Sequence, residues 1–146
     1  MVSVPEVNST VRPIMPDNNT AQPSDASIQI DVVTRYLPEQ SVPAEKRYVF
    51  AYTITIANRG VEPARLLRRY WRITDANNRV QEVRGEGVVG EQPLIAPGDD
   101  YRYTSGAILE TPVGTMEGNY EMISASGLTF IAPIAVFSLA QPGALH

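Results

Sequence analysis

Cysteine is absent from this 146-residue chain, and histidine occurs once, at the last position, His146. The lack of cysteine excludes disulfides, thiolate zinc sites and cysteine nucleophiles. A single histidine at a chain end leaves no fixed imidazole for a general base, a Ser-His-Asp triad or a histidine-rich metal site. These absences predict a protein that is not an enzyme, with no catalytic residues, no metal ligands and no cofactor.

Long apolar runs are also missing. The sequence holds no stretch that is long and apolar enough to span a membrane. Its N-terminus lacks the basic start and apolar centre of a signal peptide. We therefore expect a soluble, cytoplasmic protein with no membrane partner.

The formal net charge of −4 argues against duplex DNA as a partner, because that ligand requires a basic surface. The charge is unevenly distributed along the chain. Residues 59–84 carry seven arginines against three acidic residues, whereas residues 85–146 carry one arginine against seven acidic residues. Regions of opposite sign suit a charged protein partner or a second copy, and the alternative is a solvated surface of mixed charge.

The N-terminal residues 1–26 differ in composition from the rest of the chain. They contain four prolines among Asn, Ser, Thr and Asp, with only isolated apolar residues, as is typical of a mobile tail. Period-two patterns of apolar residues begin near Ser27, so we assign residues 27–146 to one folded domain. The clearest pattern covers residues 47–58, where aromatic and β-branched residues alternate with smaller ones.

The patterns predict about seven short strands joined by turns that contain Gly, Pro or Asn, and no helix. The expected strands cover 28–36, 47–58, 64–74, 79–84, 101–108, 119–124 and 128–139. Their number and spacing predict an all-β fold, an antiparallel β-sandwich with immunoglobulin or fibronectin type III-like architecture.

Several details of this sandwich can be predicted for single residues. Leu67 and Trp71 are expected to face the core from the third strand. The glycine-containing segment 114–118 is expected to form a turn, which would place Tyr120 where sandwich folds often have a tyrosine corner. Pro133 implies an edge position or a bulge in the last strand, because proline cannot donate to a ladder.

A GxGxxG match stands within Arg84-Gly85-Glu86-Gly87-Val88-Val89-Gly90. In dinucleotide-binding proteins this motif leaves a parallel strand and opens a helix whose N-terminus faces the pyrophosphate. Here Pro93 and Pro97 leave room for less than two helical turns after the motif. The sequence therefore does not predict the helix that a dinucleotide-binding GxGxxG motif requires.

The same glycines permit two interpretations in a sandwich. The first is structural: Gly85, Gly87 and Gly90 allow positive φ, a bulge or close backbone approach in a connection between the two sheets. The alternative is an anion-binding nest of loop amides at these glycines, assisted by Arg84, for a phosphate or pyrophosphate group.

Five blocks of sequence together carry a family resemblance. They are RYVFAYTITI at 47–56, LLRRYWRIT at 66–74, EVRGEGVVGEQP at 82–93, YRYTSG at 101–106 and GTMEGNYEM at 114–122. In this order they resemble the ApaG family, and the likeness extends from about residue 28 to the C-terminus. The resemblance implies a fibronectin type III-like sandwich and supplies no established catalytic residues.

The resemblance also implies a range of functions. The family includes small bacterial proteins associated with cobalt resistance and magnesium efflux. Related domains occur in an F-box protein and in a DNA-polymerase-delta-interacting protein, where they look like protein-interaction modules.

We therefore predict a non-enzymatic binding module that recognises a protein partner through a sheet face or edge. An exposed edge also predicts a homodimer. The alternative is a nucleotide or polyphosphate binder that uses the glycine loop. A third hypothesis is a role in divalent-cation homeostasis without a tight metal site, because the ligands that cobalt favours are almost absent.

Overall fold

The structure, a computed structural model, describes residues 27–144. The tail expected for residues 1–26 lies outside the described residues. The strands are β1 (Ile28–Tyr36), β2 (Tyr48–Asn58), β3 (Ala64–Asp75), β4 (Val80–Glu86), β5 (Leu94–Ile95), β6 (Asp100–Leu109), β7 (Val113–Ser124) and β8 (Thr129–Ala140). Two three-residue 3₁₀ turns, Pro38–Gln40 and Pro43–Glu45, separate β1 from β2. Seven strands lie near their expected positions, and the two-residue β5 was not predicted.

The strands form two antiparallel sheets. The smaller sheet has the order β1-β2-β6. The larger sheet has the order β4-β3-β7-β8, and β5 also pairs with β3. This arrangement confirms the predicted all-β antiparallel sandwich.

The core lies between the sheets and is centred on the expected residues. Phe50, Tyr52, Ile54 and Ile56 are buried at alternate positions of β2, as its period-two pattern predicts. Trp71 of β3 is 2 % exposed and meets a tyrosine ring of β2 at a centroid distance of 5.4 Å. Burying a large apolar side chain contributes about 1.5–3 kcal/mol, so this layer holds the two sheets together.

One core assignment in β3 was wrong. Leu67 was expected to face the core, but Leu66 is the fully buried residue and Leu67 is only half-buried. The reason is a β-bulge, because the register with β7 shifts between Leu66 and Arg68. A bulge reverses the alternation, so Arg69 has the same phase as Trp71.

The turn expected at residues 114–118 does not exist. Gly114 and Gly118 lie inside β7 and pair with Asp75 and Trp71 of β3. A Cβ atom added to Gly118 would lie 1.9 Å from the carbonyl oxygen of Tyr70. Glycine is needed here because two strands approach closely, which is the other common reason for glycine in a strand pattern.

Tyr120 does not form a tyrosine corner. It lies in the middle of β7, fully buried, and its hydroxyl hydrogen-bonds to the hydroxyl of Tyr103 on β6. A tyrosine corner would instead bond to backbone a few residues upstream. The Tyr103–Tyr120 pair therefore joins the two sheets through a buried polar contact.

The last strand agrees with its prediction. Pro133 lies on β8, at one edge of the larger sheet, and pairs with Asn119. The register between β7 and β8 also shifts between Met116 and Gly118, so the strand has a bulge as well as an edge position. Within residues 27–144, no helix is long and apolar enough to cross a membrane.

Candidate functional site: an arginine-tyrosine groove

The glycine loop lies along one side of β3. Both β4 and β5 pair with that side, with Arg68 opposite Glu86 and Arg65 opposite Leu94. Residues 87–93 therefore leave and rejoin the same sheet, and the expected connection between sheets was wrong. The reason is the β3 bulge, opposite which the partner strand is interrupted.

Positive φ angles shape the loop, as the structural interpretation expected. Gly87 and Gly90 have φ of 61° and 83°, and Val89 shares this conformation at 41°. A Cβ atom on Gly87 would lie 2.1 Å from the carbonyl oxygen of Glu91. Val88 is fully buried in the core, so its side chain anchors the loop.

Most polar groups of the loop are already engaged. The amides of Gly87, Val88 and Glu91 donate to backbone carbonyls at 2.8–2.9 Å. Arg69 Nη1 donates to the carbonyl oxygens of Glu86 (3.1 Å) and Gly87 (2.9 Å). Within residues 27–144, the amides of Val89 and Gly90 make no hydrogen bond.

A groove of about 370 Å³ opens beside this loop, and we call it the arginine-tyrosine groove. It is lined by residues of four adjacent strands, β4, β3, β7 and β8. These residues are Arg68, Arg69, Tyr70, Arg84, Gly85, Glu86, Asn119, Glu121 and Ile131. The groove therefore combines arginines, one tyrosine and an aliphatic side chain on a sheet.

Arg68 bridges two strands at one end of the groove. Its Nε lies 3.1 Å from Oε2 of Glu86 on β4, and its Nη1 lies 3.0 Å from Oε1 of Glu121 on β7. The hydrogen bond to Glu121, with the charges of both carboxylates, raises the pKa of the Arg68 guanidinium. The positive charge of Arg68 is therefore balanced by two carboxylates of the domain.

Tyr70 and Arg84 form a second unit of the groove. The Arg84 Cζ lies 4.6 Å from the Tyr70 ring centroid, which is a cation–π geometry. The Tyr70 hydroxyl donates to Glu82 Oε2 at 2.5 Å, and this bond is the main cause that raises the pKa of Tyr70. Oε1 of Glu82 lies 3.8 Å from Nη1 of Arg84, and this contact is longer than the two ion pairs of Arg68.

The predicted site residues are divided between two places. Arg84 and Gly85 line the groove, whereas Gly87 and Gly90 shape the loop and do not line it. Sequence reasoning did not assign Arg68, Arg69, Tyr70 or Ile131 to a site. The signal that could have found part of the groove was the alternation of Arg68, Tyr70 and Arg72 along β3.

A second cavity is smaller than the groove. It measures about 230 Å³ and lies near the turn between β3 and β4, with Arg79 and Glu110 in its lining. These two side chains pair with each other at 2.7 Å. Among residues 27–144, no cluster of three or more His, Cys, Asp or Glu side chains is placed to hold a metal ion.

The ApaG domain profile matches residues 38–124, which include β2 to β7. The chain belongs to the ApaG family. The match covers the glycine loop and most of the groove, but not β8, which contributes Ile131.

Individual ApaG relatives extend the match to most of the chain. The Protein ApaG of Pseudomonas aeruginosa (strain PAO1) is 60 % identical over 119 residues, which cover 82 % of this chain and 94 % of the relative. The Protein ApaG of Escherichia coli O1:K1 is 59 % identical over 117 residues, 80 % of this chain and 94 % of the relative. A crystal structure of a protein named ApaA from Bordetella pertussis is 53 % identical, with a TM-score of 0.78 over 80 % of this chain and 94 % of that one.

Proposed function

We propose that this ApaG-family domain is a non-enzymatic protein-binding module that docks its partner in the arginine-tyrosine groove. The observation that supports the proposal is the unit formed by Arg84 and Tyr70, in which Arg84 is exposed and Tyr70 is half-buried on the sheet. Arginine and tyrosine are enriched among the residues that dominate binding energy at protein interfaces. A sheet holds such side chains in fixed positions, which reduces the entropy lost on binding.

The carboxylates around the groove are engaged by side chains of the domain itself. Glu82 accepts a hydrogen bond from Tyr70, and Glu86 and Glu121 accept hydrogen bonds from Arg68. A substrate would have to displace these partners to reach a carboxylate, so the arrangement favours a binding surface.

The chemistry of the groove favours a partner segment with an acidic and an aliphatic residue. Arg84 has one carboxylate nearby, Glu82 at 3.8 Å, and its side chain is 69 % exposed, so it can also pair with an incoming carboxylate, ideally in bidentate geometry. Ile131, 51 % exposed on the opposite side of the groove, can cover an aliphatic side chain.

Affinity capture with matched variants tests this proposal. Arg84→Glu reverses the charge in the groove, and Arg35→Glu makes the same change on the exposed edge strand β1 of the other sheet. We expect proteins captured by the original chain to be retained by Arg35→Glu and depleted at least tenfold by Arg84→Glu, as for a hot-spot arginine. Capture that Arg84→Glu leaves unchanged would exclude the groove, and no reproducible partner at all would count against the module itself.

A second candidate function is phosphate binding at the glycine loop. What supports it is the pair of unbonded amides at Val89 and Gly90, because successive free amides in a turn can form an anion nest. Titration with pyrophosphate and ATP, followed by NMR of the amides of residues 84–90, separates the two candidates. Shifts centred on Val89 and Gly90 would support the nest, and unchanged amides at millimolar ligand would remove it.

The family resemblance implies an association with cobalt resistance and magnesium efflux. This association fits the same proposal if the domain acts on these ions through a bound protein and does not bind them itself. Hard cations usually need oxygen ligands drawn from several points. Calorimetry with Co²⁺ and Mg²⁺ tests this, and we expect no tight binding of either ion. Tight binding of one ion would instead point to a direct site.

A further inference from the structure

Charge is distributed unequally among the four edge strands that have seven or more residues. Three of them carry charged residues: Asp31 and Arg35 on β1, Glu82, Arg84 and Glu86 on β4, and Asp100 and Arg102 on β6. The fourth, β8, has twelve residues and no charge. The last charged residue of the chain is Glu121, on the strand before it.

An uncharged edge is unusual because edge strands normally carry charges that prevent pairing with other chains. The outward side chains of β8 include Ile131 and Val136, which are 51 % and 56 % exposed. β1 approaches β8 from the smaller sheet but forms no ladder with it. Within residues 27–144, the backbone groups on the outer side of β8 therefore have no strand partner.

The absence of charge identifies a suitable occupant. When two copies of one strand pair antiparallel about a two-fold axis, a residue on the axis faces itself and its neighbours face their counterparts. Like charges directly opposite each other destabilise such a pair. Of these four edge strands, β8 is the one that can pair with its own copy in any register without this repulsion.

Two features restrict which part of β8 can pair. Pro133 has no amide hydrogen to donate, and the register shift opposite Met116 and Gly118 falls at residues 135 and 136 of β8. The segment 136–140 begins at the second of these interruptions and runs to the end of the strand. Ser138, at its centre, is exposed and uncharged.

We propose that two copies of the chain pair antiparallel through residues 136–140 of β8, with Ser138 next to the two-fold axis. The two larger sheets then become one continuous sheet that is eight strands wide. Since the axis is perpendicular to that sheet, both arginine-tyrosine grooves face the same side. Five strand spacings separate the two β3 strands, about 24 Å in total.

The dimer itself is independent of the proposed function, but the role of two grooves on one side of the dimer rests on the proposed function. The dimer and the docking of a partner in the groove can be tested separately. Arg84→Glu is expected to lose partner capture and keep the dimer, whereas disruption of β8 pairing is expected to produce monomers that still capture the partner, with lower avidity for a bivalent one.

Sedimentation equilibrium and a cysteine cross-link test the pairing. We expect the apparent mass to rise from 16.0 kDa toward twice that value as the concentration increases to about 1 mM, where even weak dimers are populated. Ser138→Lys is expected to abolish this rise because it places like charges next to each other. Gln81→Lys, on the exposed edge strand β4, is the matched control and is expected to leave it unchanged.

The cross-link does not depend on a destabilising charge. Because the chain has no cysteine, Ser138→Cys introduces the one thiol and can form an intermolecular disulfide only if two copies meet there. We expect Ser138→Cys to cross-link at least tenfold faster than Gln81→Cys under mild oxidation. A chain that stays monomeric to about 1 mM, or equal cross-linking rates for the two variants, would overturn the proposal.

Discussion

The guanidinium of Arg69 lies directly against the backbone of Gly85. A Cβ atom added to Gly85 would approach Nη1 of Arg69 to 2.7 Å. The same Nη1 donates hydrogen bonds to the carbonyl oxygens of Glu86 and Gly87, where the chain leaves β4. The first glycine of the motif therefore makes room for an arginine that fixes the start of the loop.

Alanine substitutions in the motif should destabilise the fold to different degrees. Gly85→Ala displaces Arg69 and weakens two charged hydrogen bonds, so we expect a loss of about 1–2 kcal/mol. Gly87→Ala should cost more, about 3 kcal/mol or above, because the new Cβ meets the Glu91 backbone at a positive φ. Gly90→Ala meets no neighbouring atom, so its cost comes only from the left-handed backbone conformation and should be about 1 kcal/mol.

Urea unfolding of the three variants measures this order. The structural interpretation of the motif predicts that the loss decreases from Gly87 to Gly85 to Gly90. Equal losses at all three positions would contradict the geometry of the loop.

Removal of one hydroxyl from the Tyr103–Tyr120 pair should destabilise the protein more than removal of both. Tyr103→Phe or Tyr120→Phe alone leaves a buried hydroxyl without its partner, which costs about 1–3 kcal/mol. The double variant leaves no unsatisfied group there and should recover part of the loss. A double-mutant cycle in urea measures the coupling, and strictly additive losses would show that the hydrogen bond contributes nothing.

The same pair should make stability fall at alkaline pH. Burial is the main cause that raises the pKa of both tyrosines well above the ordinary value of 10.0. Above that value the unfolded chain loses these protons while the folded chain keeps them. The contribution of these two tyrosines to stability is therefore constant below about pH 10 and decreases above it, by about 1.4 kcal/mol per pH unit for each tyrosine.

The Tyr103→Phe, Tyr120→Phe double variant is the control for this pH dependence. Its stability should fall less steeply above about pH 10, since two of the groups that cause the decrease are gone. Identical slopes for the two proteins would show that other tyrosines determine the alkaline limit.

The fold could be predicted where apolar and polar residues alternate without interruption. The prediction was wrong where a bulge or a close approach of two strands changes the backbone geometry. β2 alternates over its whole length, and its buried face was correct. Leu67 was misplaced because a bulge depends on the partner strand, which no local pattern shows. Gly118 was assigned to a turn because close approach of two strands and a tight turn both require glycine.

The site was less predictable for the same reason. Arg84 was identified because it precedes the glycine motif, and it does line the groove. Arg69 was missed because its contact with Gly85 depends on the phase change in β3. Ile131 comes from a strand distant in sequence, so only the sheet order brings it to the groove.

The ion pairs of Arg68 should contribute little to stability. The Arg68 side chain is 52 % exposed and its carboxylate partners are 35 % and 70 % exposed, so water screens both contacts. We expect Arg68→Met to leave the urea midpoint of unfolding almost unchanged. Urea unfolding at low and high salt checks this, and a large loss of stability that does not depend on salt would show that Arg68 has a packing role.

Among the described glycines, Gly118 should tolerate substitution by alanine least. The added Cβ would lie 1.9 Å from the Tyr70 carbonyl oxygen, between two hydrogen-bonded strands. Backbone cannot move aside without separating β3 from β7, so we expect a loss of more than about 4 kcal/mol. Gly127→Ala is the control, because that turn glycine has open space and only a positive φ of 90° to resist, about 1 kcal/mol. Thermal unfolding of the two variants decides the matter, and a folded Gly118→Ala protein with near-normal stability would mean that the strands are farther apart there than this register requires.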